Sequence, residues 1–447
     1  MCKNCSVNSV KSVVLGWRRQ LDSREERGEM AYQRRLIDDV LDDVFTQLPA
    51  VLLDGPKAVG KTTTAIQRAR TIKDMDQRGD HTRATADPEW VTEGEKPILI
   101  DEWHKVPDTW GVVKRAVDRD FTGGQYVLTG SLPDRETHSG AGRITSLRMR
   151  PLSFAERDIE KPTVSLGALL AGGSEVSGET DIGLSDYSME LMRSGFPALR
   201  QLDGRALELS LDGYIDRIVD VDIKHVGLDT REPATLLTWL TSYAAATATV
   251  ASWEKIRDAA TTRAGKIPAR TTTIPYRDAL ARLRILDELP PWLPTKNPLS
   301  TVSQSSKHFL ADPALAMRLM NFSHETIATA VSYGSARFDR PLVGRMFEAL
   351  ATLSIRSYAE ACFAKAMHFR DGAGRREVDI IVERGDGKVL AIEVKLGNSV
   401  DADDTKHLTW LKSQLGDNLI DAVVVYSGRH AYRSGSVAVV PLALLGP

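Results

Sequence analysis

Two clusters of residue types could do chemistry in this chain. Gly55 to Thr62 reads GPKAVGKT and matches GxxxxGK[ST] in full, with an apolar run before it and a helix-forming run after it. Glycines at that spacing let the backbone wrap closely. The loop Gly55, Pro56, Lys57, Ala58, Val59, Gly60, Lys61, Thr62 and Thr63 can then face the phosphates of a nucleotide from a helix start. Lys61 would reach the β- and γ-phosphates and Thr62 would offer its hydroxyl to Mg²⁺, so ATP and Mg²⁺ are the expected cofactors. The second cluster lies in VDIIVERGDGKVLAIEVKL, Val378 to Leu396, which carries Asp379, Glu393 and Lys395, with Glu348 upstream in VGRMFEALA. Two carboxylates that hold Mg²⁺ beside a lysine that positions water are the means to cut a phosphodiester.

Each cluster needs partners. KPILIDEWHKVP is an apolar strand ending in Asp101 and Glu102, placed to hold Mg²⁺ and to orient the attacking water. Buried strands often end in solvated acids, so this pair takes its meaning from the loop upstream. QYVLTGS would lie beside it, with Thr129 or Ser131 near the γ-phosphate as a sensor, or as simple strand-end caps. Arg143 in GAGRITSLRMRPLSFAE could neutralise transition-state charge in cis or from a neighbouring copy, or be an ordinary surface arginine. The trans reading makes a homo-oligomer one of the expected states. In the second cluster, strand periodicity sends Glu393 and Lys395 to one face while Ile392 and Val394 point into the core, and ERGDGK fits a hairpin. An exposed Glu/Lys pair is also common on an amphipathic strand that only binds.

The elements that must position these groups follow from pattern. YQRRLIDDVLDDVFTQL spaces Leu36, Val40, Leu41, Val44 and Phe45 as one amphipathic helix. Apolar runs then alternate with helical ones through QYVLTGS, which predicts a parallel sheet with helices on both faces. LLAGGSEVSGETDIGLSD reads as a loop or linker. Residues 205–335 read as mostly helical. Within them WEKIRDAATTRAGKIPARTTTIPYRDALARLRILDELPPW resembles a winged helix, its second helix starting near Thr272 or Thr273. Arg263, Lys266, Arg270, Arg277, Arg282 and Arg284 would supply charge for phosphates, diluted by Asp278, Asp287 and Glu288. The same module could instead pack on the ATPase or bind protein. A third α/β module follows. The expected domains are a disordered leader over 1–29, an ATPase over 30–200, a helical module over 205–335 and a nuclease-like module over 336–447.

Composition bounds the classes. With 58 Lys and Arg against 60 Asp and Glu, the 447-residue chain has no basic field, so a nucleic-acid contact would need a local patch. Three cysteines cannot make a disulfide framework, and the Cys2/Cys5 pair lacks the further ligands a structural zinc needs. The start has no signal-peptide pattern, and the uncharged run Pro233 to Trp253 is diluted by Thr, Ser and Ala. A cytoplasmic protein without a membrane span is expected.

The order of GPKAVGKTT, ILIDEWHKVPDTW, VLTGS, GRITSLRMRPLSFAE, SGFPAL and YIDRIVDVDI resembles the predicted prokaryotic AAA-like ATPases that carry a C-terminal domain of uncharacterised function. The likeness runs from about Tyr32 to the C-terminus. It implies a P-loop ATPase of the AAA/STAND-like branch, a winged-helix-like part in the helical middle, and a C-terminal module like the PD-(D/E)XK nucleases, with Glu348 as its helical acid. Two positions depart from that pattern: Lys57 stands where the family usually has Arg, and His104 where it has Gln. Lys57 keeps the charge without the planar fork. His104 keeps hydrogen bonding but adds pH dependence. The functions to weigh are a nucleotide-controlled switch acting on DNA or a protein partner, an ATP-regulated nuclease effector of a defence or toxin system, and a nucleotide-gated scaffold without cleavage.

Overall fold

The apolar runs become strands in a computed structural model, which describes residues 32–130, 140–173, 175–229, 232–261, 267–294, 305–323, 340–371 and 374–447. Ser131, Cys2, Cys5, Arg263, Lys266 and the leader fall outside the described residues. Contacts divide the chain into two units: one runs to Gly55 and resumes over Gly60–Met149, the other holds Pro56–Val59 with Arg150–Pro447. The segment after Met149 thus packs with the C-terminal part, whereas the sequence reading carried the first domain on to residue 200.

The first unit is a five-stranded sheet of β1 (Ala50–Asp54), β2 (Thr71–Asp74), β3 (Ile98–Asp101), β4 (Tyr126–Gly130) and β5 (Ile144–Arg148). All neighbours are parallel and the order is β2-β3-β4-β1-β5. β1, β3 and β4 are buried along their whole length, which is why their sequences run apolar instead of alternating. One face packs Trp103, Trp110, Val113 and Val117 against Leu52, Ile100 and Leu128; the other packs Leu41, Phe45 and Ala65 against Val51, Leu53, Leu99 and Val127. The helix Leu36–Val44 contributes Leu41 to the second core. That helix also buries Asp38, which meets Arg68 at 2.5 Å, an internal ion pair that periodicity alone does not reveal.

In the second unit, three pieces meet around a mixed seven-stranded sheet. Past a short β6 (Val164–Ser165), its strands are β7 (Gly178–Glu179), β8 (Lys365–Arg370), β9 (Glu377–Glu383), β10 (Val389–Lys395), β11 (Leu419–Tyr426), β12 (His430–Ser434) and β13 (Val437–Pro441), in the order β7-β12-β13-β11-β10-β9-β8. β8, β9 and β10 are antiparallel neighbours, while β10, β11 and β13 run parallel. The ERGDGK turn closes the expected β9–β10 hairpin, with the Arg384 amide donating to Lys388 O at 2.9 Å and Gly387 at φ +84°. The helix Lys406–Leu415 covers one side of this sheet through Leu408 and Leu411. A long helix, Arg340–Ala361, precedes β8.

The helical stretch between contains Pro233–Ala245, Trp253–Ala259, Arg270–Arg282 and Pro313–Leu319. The uncharged run from Pro233 is a buried helix inside the protein, burying Leu236, Trp239, Leu240 and Tyr243. The helix expected near Thr272 starts at Arg270. After it, Leu286 bridges Leu310 and Leu289 bridges Lys307, both antiparallel. Asp287 does not dilute a basic surface as the sequence reading had it: it is 13% exposed and accepts from Arg150 at 2.8 Å and from Arg356 at 3.2 Å. Among the described residues no helix is long and apolar enough to cross a membrane.

Candidate functional site

In a parallel sheet the carboxyl ends of all strands share one edge, so Asp54, Asp101 and Gly130 come to the same side. β4 lies between β1 and β3, which sets Thr129 between the phosphate loop and Asp101. The loop turns into the helix Lys61–Ile66 through Gly60, whose φ of +104° a side chain would rarely allow. Ala58 is held at φ +60° on the way. The Lys61 side chain is buried and donates to Gly55 O at 2.9 Å. Burial pushes the Lys61 ammonium below the usual lysine range, while Glu102, Asp54 and Asp101 pull it back up.

Asp101 Oδ1 accepts from the Thr62 hydroxyl at 2.8 Å and also from the Thr129 hydroxyl. Thr129 Oγ1 in turn accepts from the Glu102 amide at 3.3 Å. Glu102 stands at φ +51°, the left-handed region, so its carboxylate leaves the strand direction just after Asp101. Its Oε2 lies 3.5 Å from His104 Nε2. Gly130, at φ +139°, permits that arrangement, because a Cβ there would stand 2.7 Å from His104 Nδ1. The hydroxyl and carboxylate of Thr62 and Asp101 are hard oxygen donors of the kind Mg²⁺ takes with a nucleotide, so the donor set fits that ion.

Arg143 is not brought to this edge. It precedes the amino end of β5, where Ile144 pairs with Ala50, and its Nε donates to Asp118 at 2.7 Å. Arg148, at the other end of the same strand, is the arginine on the site's side: it pairs in register with Asp54 and reaches its carboxylate at 3.7 Å. The sequence shows an arginine near each end of this strand, and only the direction of β5 chooses between them. Lys57 meets Asp222 at 2.6 Å, and the Tyr214 hydroxyl donates to Lys57 O at 3.1 Å.

The other expected constellation is assembled too, with one addition. The β9–β10 register sets Ile392 against Ile380, and one further step sets Glu393 opposite Asp379. The Val394 amide donates to Asp379 Oδ2 at 2.9 Å. Glu393 does not stand on an exposed face: it is 5% exposed, because β10 is an interior strand covered on both sides. Lys395 Nζ is 3.7 Å from Glu393 Oε2 and 3.9 Å from Asp404. The addition is Lys307, which the sequence reading did not single out. Its side chain is 2% exposed and its Nζ lies 2.7 Å from Glu348, 2.9 Å from Glu377 and 3.0 Å from Asp379.

Burial raises the Glu348 carboxyl to about 8, reinforced by Asp379 and only partly opposed by Lys307. Burial and Asp379 raise Glu393 to about 9. Burial alone would also raise Asp379, but Lys307 and the Val394 amide more than offset it and hold this carboxyl below its ordinary value. Burial would depress Lys307, yet Asp379, Glu348 and Glu377 lift it well above a free lysine. Among the described residues no group of three His, Cys, Asp or Glu side chains is arranged to hold a metal ion.

Comparison with known proteins gives three family matches along the chain. Residues 47–157 match an AAA domain, residues 184–326 a domain of unknown function, and residues 343–445 a second domain of unknown function. Uncharacterised proteins of Mycobacterium tuberculosis and Mycobacterium bovis are each 25% identical over 430 residues, covering 92% of this chain and 84% of theirs. Among solved structures, a Walker-type ATPase of Pyrococcus abyssi aligns over 65% of this chain and 97% of its own at 15% identity and a TM-score of 0.38. The ORC2 protein of Aeropyrum pernix, solved as ADPNP–ADP complexes, aligns over 66% of this chain and 94% of its own at 13% identity and a TM-score of 0.26. The amino-terminal unit is thus similar to AAA domains in sequence, and its phosphate-loop motif lies inside the matched region.

Proposed function

We propose that this protein is a Mg²⁺-dependent ATPase whose nucleotide cycle acts as a switch on a protein partner. The observation that carries it is the convergence of Thr62, Asp101 and Thr129 on one carboxylate oxygen beside a buried Lys61. In this reading Gly55 to Thr63 hold the phosphates, Lys61 bears on the β- and γ-phosphates, and Thr62 and Asp101 hold Mg²⁺. The ion, when bound, neutralises charge that develops on the phosphates. Glu102 orients the attacking water. Thr129 fixes the Asp101 carboxylate, and through its contact with the Glu102 amide couples the two acids.

A protein partner is favoured over DNA because the basic residues of the middle module are partly spent within it. Arg277 lies 4.4 Å over the Trp253 ring, and Arg282 donates to Val226 O at 3.0 Å. The helices Trp253–Ala259 and Arg270–Arg282 and the bridges at Leu286 and Leu289 support a winged-helix-like reading, a fold that can serve protein contacts as well as a DNA groove. The succession of helix Arg340–Ala361, strands β8 to β10, helix Lys406–Leu415 and β11 supports reading this part as a PD-(D/E)XK-like module that binds and does not cut.

Phosphate release from ATP and Mg²⁺, measured on the full chain, tests the assignment. Release that needs Lys61 and Asp101 and slows in Glu102→Gln supports it; release untouched by all three substitutions would sink it.

A further inference from the structure

The ammonium of Lys307 occupies the centre of a carboxylate cluster, held at 2.7, 2.9 and 3.0 Å by Glu348, Glu377 and Asp379. We infer that Lys307 is a built-in cation that closes a divalent-metal site, and that the cluster takes Mn²⁺ or Mg²⁺ once this side chain is removed. The proposal stands apart from the ATPase reading, since it concerns other residues.

Four observations carry it. First, the donors are carboxylates from three separate elements, the helix Arg340–Ala361 and strands β9 and β10, which is how a protein surrounds a hard cation with oxygen. Second, Glu393 is 5% exposed and its Oε1 has no hydrogen-bond partner; His407 Nδ1 stands 3.9 Å away. A buried carboxyl oxygen without a partner is an oxygen donor open to a cation. Third, one ammonium meets three of these carboxyl groups at once, Glu348, Glu377 and Asp379, so a single cation stands where oxygens from the helix and from β9 converge. Fourth, Lys307 is carried by a segment before the helix, within residues 184–326 that match one family model, whereas the acids lie in residues 343–445 that match another. The cation is therefore supplied to the acids by a different module of the chain.

Geometry explains why the lysine excludes the ion. Nitrogen-to-oxygen distances near 2.7–3.0 Å exceed the roughly 2.0–2.6 Å at which Mg²⁺ or Ca²⁺ binds oxygen. The oxygens thus sit too far apart for a metal while the ammonium holds the centre, which agrees with the lack of any metal-ready group among the described residues. The Lys307 backbone is pinned by reciprocal hydrogen bonds with Leu289 at 2.9 Å, and the neighbouring His308 amide donates to Thr249 O at 2.9 Å. The plug is rigidly delivered.

The test is Mn²⁺ binding followed by electron paramagnetic resonance on the nucleotide-free full chain. Wild type, Lys307→Arg, Lys307→Met, and Lys307→Met with Asp379→Asn are compared. Lys307→Met should bind one Mn²⁺ at least about tenfold more tightly than wild type, and the added Asp379→Asn should remove that site. Lys307→Arg, which keeps the charge, should stay closed. Thermal melts supply a second readout: Mn²⁺ should raise the melting temperature of Lys307→Met and leave wild type unchanged. An Asp379-dependent Mn²⁺ site in wild type overturns the proposal. So does a folded Lys307→Met that gains no site, or a Lys307→Met that stays unfolded with Mn²⁺ present, since a cation that replaces the ammonium must restore the cluster.

Discussion

Two buried lysines divide the chemistry of this molecule between them. Lys61 gives its ammonium to a backbone carbonyl of the phosphate loop, and burial pulls its proton affinity down. Lys307 is grasped by three carboxylates, and their charge lifts its proton affinity far up. In the proposed function Lys61 turns its charge to the incoming phosphates. A lysine held by carboxylates has spent that charge on the fold. Residue type and burial are nearly the same in the two places, so the neighbours alone decide which lysine is a tool and which is a strut.

The comparison breaks or sharpens by substitution. Lys61→Ala should reduce phosphate release on the order of 10³-fold, as loss of a charged donor at the transferring group implies, with the chemical-denaturation midpoint hardly moved. Lys307→Ala should do the reverse, costing about 3–5 kcal/mol of stability by leaving buried carboxylates without their cation. Denaturant unfolding of both variants beside an ATPase assay reads the contrast directly, and equal stability losses would erase it. Glu102→Gln should slow turnover by about 10²-fold with nucleotide affinity retained, seen as a lower kcat at unchanged nucleotide binding.

Acid should weaken the second unit through His368. Burial and the nearby Lys307 lower this imidazole to about 4, so the folded form prefers it neutral. An unfolded histidine near 6.5 binds its proton first, so this contribution is present above pH 6.5 and is lost as the pH falls through 4, worth roughly 1–3 kcal/mol. Unfolding midpoints of wild type and His368→Gln across that window check it: the wild type should lose more. The smallest effect expected is Arg143→Ala, whose guanidinium serves Asp118 at the far end of its strand. A change in phosphate release beyond about threefold would show that a second copy brings this arginine to the site.

Much of the first site was legible because it is local in sequence. GPKAVGKT fixes a backbone path and its side chains within one turn of chain, and the apolar strand before Asp101 announces its own burial. Sequence left Thr129 open between a sensor and a strand-end cap; in the structure its hydroxyl donates to the Asp101 carboxylate and accepts from the Glu102 backbone amide. The choice between the readings of Arg143 was not legible, because a strand's residues do not state which end reaches the site; that follows from β5 running parallel to β1. Glu393 was expected on an open face because alternation tells inside from outside only for a sheet with one side in water, and β10 is covered on both.

What the sequence determined by itself is the phosphate loop, the acids carried by β3, β9 and β10, and the hairpin that joins the last two. These depend on spacing within a few residues, which local backbone geometry converts directly into position. Only the tertiary structure decided the state of the carboxylate cluster, because its cation arrives from Lys307, 41 residues before Glu348 and 72 before Asp379. No spacing rule reaches across that separation. The match between one ammonium and three acids exists only where separate elements are packed together, and there the low dielectric makes the pairing strong enough to set what the site can do.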